Sequence, residues 1–497
     1  MAGIGFELRR LSRQQSLSGI VGAFGHAAVI AAGPWLFTIF SLAAITLVTE
    51  QVAGLQTLAT FRAVIIYAFA VSLVLTAPVT IVATRLVADA LWLKKPERVR
   101  PLLFGAYVIA IGFASTGVAV LAIYFRMPPA LGAVLLAASL TVALIWVALS
   151  FCGAIRDYNG VTIAFLVGLL ASVIAGMATA IMGLGAAAIA WGFVGGLALT
   201  LLILTMRVLD SFPGRLERPE EGFETILQGF STYGHLALGA VATTAGVWID
   251  KWIFWFSPIG EVVEGGLVHA PLYDSAMFIA SLVIIPALAA FVVQLETDFF
   301  ERYQHYYSTI ETHGTLQQVE TARSRLAAFT LDQLVLVTVM QIGICAVLLL
   351  SAPLIVSSLN LQFQQISILR YGALGAVFQF IFISSTSILL FFDRRRLYLA
   401  LQVLFLVLNA GLTMLTVARG ETYFGVGYFA ACLIASFIAY LAAVRTFERL
   451  NFLTFIGNNP SISEASHLAG KRGFVRRHVA RLFKARALDT ERKEPAA

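Results

Sequence analysis

The chain has 497 residues, of which 59% are hydrophobic and only 12% charged. Soluble globular chains carry about 25% charged residues, and a mean hydropathy of +0.87 excludes an ordinary water-soluble fold. The net charge is +7; residues 447–497 hold ten Lys and Arg against five Asp and Glu, so the excess suits anionic lipid head groups rather than nucleic acid.

The first element is Gly3–Gln15, where Ile4, Leu8 and Leu11 share one face of an amphipathic helix. The apolar run behind it, about 28 residues, is too long for a signal-peptide core and fits a spanning helix. Twelve such runs follow in order: 20–48, 62–84, 102–124, 130–152, 160–182, 185–206, 230–254, 271–293, 327–350, 367–391, 397–418 and 423–444. Lipid offers backbone groups no partners, so runs of this length are helices. After them comes a second amphipathic stretch, with Val475, Val479, Leu482 and Phe483 among arginines. Cys152, Cys345 and Cys432 lie in or beside apolar runs without C-x-x-C spacing, so neither a disulfide framework nor a metal or cofactor is expected.

Lys and Arg gather in alternate connections, at 9–13, 94–100, 156, 207–218, 302–325 and 394–396. The other connections hold only Arg126 and Arg419. The positive-inside rule then places both termini in the cytoplasm.

The seventh run resembles the first. Phe24-Gly25-His26 precedes Gly33-Pro34-Trp35, and Tyr233-Gly234-His235 precedes Gly246-Val247-Trp248. The second and eighth runs each carry a proline, Pro78 and Pro286, and end in Arg85-Leu86-Val87-Ala88-Asp89 and Gln294-Leu295-Glu296-Thr297-Asp298. Together these predict an all-α integral membrane fold of two pseudo-symmetric six-helix lobes, 1–208 and 229–446. A linker, 209–228, joins them, an insertion covers 296–325, and a basic tail covers 447–497.

Ionisable residues in spans are functional candidates because lipid makes them expensive. His26 and His235 hold matched positions and could meet the hydroxyls of a ligand, relay protons, or merely bond between helices. Asp332 could couple to a cation or pair with a histidine. Arg62 and Arg85 sit at helix edges, Arg85 four residues from Asp89. Gln341, Gln379 and Asn409 could hydrogen-bond a hydroxyl-rich ligand or neighbouring helices. Pro34, Pro78 and Pro286 are candidate hinges or static kinks. Asp250 and Lys251 are expected at an interface, Lys251 snorkelling to water and Trp252 and Trp255 forming an aromatic belt. With no Lys or Arg cluster at mid-depth in the first half, a ligand held there is expected to be neutral or weakly charged.

The opening Met1-Ala2-Gly3-Ile4-Gly5-Phe6-Glu7-Leu8-Arg9, the Gly33-Pro34-Trp35 after it, Thr297–Tyr303 and Phe392-Asp393-Arg394-Arg395 resemble the PelG family of inner-membrane transporters for Pel exopolysaccharide. The resemblance runs the full length apart from the tail. It implies a flippase fold of the MOP superfamily and alternating access in a bacterial inner membrane. It also implies a polysaccharide substrate, and as partners a cytoplasmic glycosyltransferase and the membrane regulatory subunits of a Pel-type complex. Two other readings stay open: a cation-coupled small-molecule exporter of the same fold, and a non-transporting scaffold for a glycosyltransferase. A glycan-building enzyme is disfavoured, since the chain has neither an aspartate-rich nucleotide-sugar motif nor Q-x-x-R-W.

Overall fold

A computed structural model describes residues 38, 40–155, 158–212 and 219–457. His26, Pro34, the Gly3–Gln15 element and the tail beyond 457 lie outside the described residues. The first half contributes α1 (Phe40–Ala53), α2 (Leu55–Trp92), α3 (Val99–Tyr124), α4 (Pro129–Ile155), α5 (Tyr158–Ile181) and α6 (Gly185–Ser211). The second half contributes α7 (Pro219–Trp255), α8 (Pro271–Leu282), α9 (Ile285–Gln294), α10 (Phe300–Glu311), α11 (Leu316–Ser358), α12 (Gln365–Phe391), α13 (Arg395–Arg419) and α14 (Val426–Glu448).

Ten helical segments among the described residues are long and apolar enough to cross a bilayer, against the twelve expected. Of the other two runs, 20–48 is described only from residue 38 on, and 230–254 lies within α7. Within that run Asp250 and Lys251 dilute its apolarity. The protein is a multi-pass, all-helical membrane protein. Its largest core cluster draws on both halves, from Ile45, Phe61 and Phe193 to Tyr273, Phe405 and Tyr428.

Small residues decide where helices meet, because backbones can approach only where side chains are short. Helices α5 and α6 pack along Gly168, Ser172, Gly192 and Gly196; a Cβ at Gly192 would lie 2.8 Å from the backbone of Ala175. Helix α7 bends at Tyr233, whose φ of −110° and ψ of 19° leave the helical region. Before the bend it packs on the first half, with Gly222 against Pro101 and Gly229 against Val82 and Leu86. Beyond it, Gly239 and Gly246 press on Tyr398 and Phe405 of α13. One helix therefore packs on both halves of the chain.

The prolines behave differently from each other. Helix α2 runs 38 residues with Pro78 inside it. In the eighth run α8 ends at Leu282 and Pro286 sits in the first turn of α9, while Val283 and Ile284 between them keep helical backbone angles. At the first turn proline gives up no hydrogen bond, since its missing N–H would have had no partner within the helix. Between α7 and α8 the chain forms a two-stranded antiparallel hairpin, β1 (Glu261–Val262) and β2 (Val268–His269). It turns at Gly265 and Gly266, whose φ values of +87° and +82° favour glycine.

Among the described residues, contacts form two compact units, the larger drawn from residues 38–303 with 329–443. The smaller holds residues 304–328 and 444–457. Within it, Tyr306 donates to Asn451 Oδ1 at 2.9 Å and Asn451 donates to Glu320 Oε2 at 2.7 Å. Arg323 pairs with Glu320 and donates to the Phe447 carbonyl at 2.8 Å.

Candidate functional site

A cavity of about 130 Å³ opens among α7, α12 and α13. Helix α12 supplies Gln379, Thr386 and Ser387, α13 supplies Tyr398 and Gln402, and α7 supplies Thr243. Phe382 and Phe405 form an aromatic wall, ring centroids 5.1 Å apart and planes 36° apart. Thr243 and Tyr398 share a hydrogen bond of 2.9 Å. Gln379 accepts the Tyr428 hydroxyl at 2.6 Å, which ties α12 to α14 at the cavity's edge. Gln402 is 2% exposed, and its Oε1 has no partner.

Beyond Gln379 lies a charged cluster. Asp250 is the one charged residue in the fully buried set among the described residues. Lys251 Nζ lies 3.1 and 3.0 Å from its two carboxylate oxygens and also donates to the Val247 carbonyl at 3.1 Å. Tyr273 donates to Asp250 Oδ2 at 2.9 Å, and the Tyr428 ring faces Lys251 Nζ at 5.7 Å. The expectation that Lys251 snorkels away from Asp250 is corrected. Adjacent residues diverge on a helix, but the lysine stem is long enough to curl back over its own turn. A carboxylate stripped of water then outweighs the pull of the interface. Trp255 is corrected as well. It is 2% exposed, donates to Asp274 Oδ2 at 2.8 Å, and stacks on Tyr67 with centroids 4.6 Å apart, so it does not face lipid as a belt.

That stack belongs to a contact between the two halves of the chain at the hairpin. The Tyr67 hydroxyl of α2 donates to the Val268 carbonyl of β2 at 2.7 Å. Phe125, just past α3, stacks on Phe256 at 6.3 Å with planes 8° apart. A Cβ on Gly266 would meet the Phe125 carbonyl.

Of the residues expected from sequence, the structure brings Gln379 to the cavity. Asn409 is buried and serves helix packing, donating to the Gly246 carbonyl at 2.9 Å and accepting from Thr413 at 3.2 Å. Gln341 is fully buried with neither amide atom partnered. His235 and Asp332 are exposed, while Arg62 and Arg85 are partly buried. Asp89, four residues from Arg85, accepts the Tyr233 hydroxyl at 2.6 Å. Sequence reasoning passed over Thr243, Thr386, Ser387, Tyr398 and Gln402, since one polar residue on a spanning helix says nothing about which neighbour it faces. The run Ser384-Ser385-Thr386-Ser387 was the available signal. The Gly265-Gly266 pair was the signal for the hairpin. Among the described residues no three His, Cys, Asp or Glu side chains gather to hold a metal ion.

Long apolar helices, one of which packs on both halves of the chain, define a multi-pass helical membrane protein. The chain superposes on a MATE transporter solved in complex with MaL6 at a TM-score of 0.58 with 15% identity, covering 86% of this chain and 96% of that one. An outward-facing multidrug resistance MATE transporter of the MOP superfamily matches at 0.57 with 16% identity and the same coverages. So does a MOP-superfamily transporter from Pyrococcus furiosus, at 0.57 with 13% identity over 86% and 96%. No curated protein matches the sequence. The chain belongs to the PelG family, described as "Putative exopolysaccharide Exporter (EPS-E)", whose model matches residues 1–455.

Proposed function

We propose that this protein carries a Pel-type exopolysaccharide, or its precursor, across a bacterial inner membrane by alternating access. In this reading two six-helix lobes, 1–208 and 229–446, rock about the linker 209–228. Both termini face the cytoplasm, where a glycosyltransferase and regulatory subunits deliver the glycan. The observation that carries the reading is the charge pattern. The buried Asp250 is held by Lys251, and the cavity beside that pair is walled by hydroxyls, amides and aromatic rings. Such walls suit a neutral or weakly charged glycan, because hydroxyl hydrogen bonds replace lost water without an unpaired buried charge.

Purified protein in sealed liposomes tests this. Labelled neutral glycan should accumulate across the bilayer only when the protein is present. Movement of a cationic drug driven by a proton or sodium gradient, with no glycan movement, would overturn the reading in favour of a small-molecule exporter. Recruitment of the glycosyltransferase with neither cargo moving would overturn it in favour of a scaffold.

A further inference from the structure

The cavity among α7, α12 and α13 fixes the chemistry of an occupant. None of its lining side chains is charged, which disfavours an anion or a free cation. Its hydrogen-bonding groups are unevenly used. Thr243 and Tyr398 bond to each other, and Gln379 accepts from Tyr428. Thr386 and Ser387 spend their protons on the carbonyls of Phe382 and Ile383, which leaves their oxygens free to accept. Gln402 is 2% exposed, lines the space and holds an unpartnered Oε1. A buried amide oxygen without a donor is unfavourable unless something in the cavity completes it. A hydroxyl can do so in either orientation of the amide, because it both donates and accepts.

The other walls ask for an apolar surface. Phe382 and Phe405 present tilted rings, with Val247, Ile383 and Leu390 beside them. A group with flat C–H faces and a rim of hydroxyls meets both demands. The volume of about 130 Å³ holds about four waters at roughly 30 Å³ each, the size of one bare six-membered ring, so a sugar's ring fits there with its outer substituents at the open side. We infer that this cavity binds a single uncharged pyranose of the transported glycan, its C–H face on Phe382 and Phe405 and a hydroxyl on Gln402. The inference rests on the glycan-export reading and adds the place where one sugar unit is held. The site lies wholly within the second half of the chain.

The test uses full-length protein in nanodiscs with methyl β-D-glucoside as probe, followed by saturation-transfer NMR. The wild type should transfer saturation to the sugar. Gln402→Leu, which keeps the size and removes the amide, should weaken binding about two- to tenfold, the worth of one hydrogen bond. Ser387→Phe should fill the space and abolish the signal. Sugar transfer unchanged in both variants would overturn the assignment. So would displacement of the sugar by cyclohexanol at lower concentration than by glucose, which would mark an apolar occupant such as an acyl chain. If either variant fails to fold, a diazirine-bearing glucoside on the wild type decides. Labelling within α12 and α13 supports the site, and labelling confined elsewhere overturns it. Liposome export separates this inference from the reading beneath it. Sugar bound at the cavity with no export in the wild type sinks the transport reading alone. Export by a wild type that binds no sugar there sinks the site alone.

Discussion

Replacing Lys251 by methionine removes the positive charge held 3.0 Å from Asp250 and keeps most of the side chain's bulk. Asp250 is 0% exposed, so its carboxylate would be left with one hydroxyl donor, Tyr273, and no counter-charge. Breaking one side of a buried pair costs about 3–5 kcal/mol. Asp250→Asn should cost less, because the asparagine oxygen still accepts from Tyr273 and Lys251 retains 19% side-chain exposure, enough to reach water. The double variant Asp250→Asn/Lys251→Met leaves no orphaned charge and should recover much of the loss, giving a coupling of about 1–3 kcal/mol in a double-mutant cycle. Reversible unfolding of the four proteins in mixed micelles reads these differences, and liposome export of neutral glycan reads function. The expected result is a double variant that folds and still exports. Additive destabilisation, or an undamaged Lys251→Met, would refute the view that Lys251 is the fixed counter-ion of Asp250. Loss of export in a well-folded double variant would show that the pair has a transport role beyond packing.

Three further outcomes follow from contacts elsewhere. Tyr67→Phe removes the hydroxyl donated to Val268, worth about 1 kcal/mol; a thiol placed at buried Leu267 should then be labelled several times faster by a membrane-impermeant maleimide. Gly222→Val would drive a side chain into the backbone of Pro101. Since backbone cannot yield as a flexible side chain can, it should destabilise the α3–α7 contact by about 1–3 kcal/mol and lower the yield of folded protein. His269, in the hairpin, is pushed below the usual histidine range mainly by burial, with Arg62 adding to the effect and Glu261 opposing it. The unfolded state therefore binds the proton more readily, and hairpin stability should fall as pH drops below about 6.5, the ordinary histidine value. Hydrogen exchange across 261–269 measures this, and His269→Gln should flatten the pH dependence.

Much of the membrane architecture was legible in the sequence because the cause is local. Some twenty apolar residues in a row demand a helix whatever surrounds them, and ten of the twelve expected runs reappear as membrane-length helices. The seventh did not qualify by apolarity alone, because the same residues that charge its end, Asp250 and Lys251, mask its span. Proline content was readable too, but its effect was not. Pro78 lies in the interior of α2, whereas Pro286 lies in the first turn of α9.

The candidate site was barely legible. Gln379 was singled out from its chemistry, yet its partner Tyr428 is 49 residues away, and Thr243 meets Tyr398 across 155. Composition decided by itself that this chain lives in a bilayer and belongs there as helices, since hydropathy and helical rise act residue by residue. Only the tertiary structure decided which polar side chains share a cavity, that Lys251 turns back on Asp250, and that Tyr67 reaches the hairpin. Those outcomes depend on which helix faces pack together, and facing is set by small residues such as Gly229, Gly239 and Gly246 meeting large ones, Leu86, Tyr398 and Phe405, on helices far away in sequence.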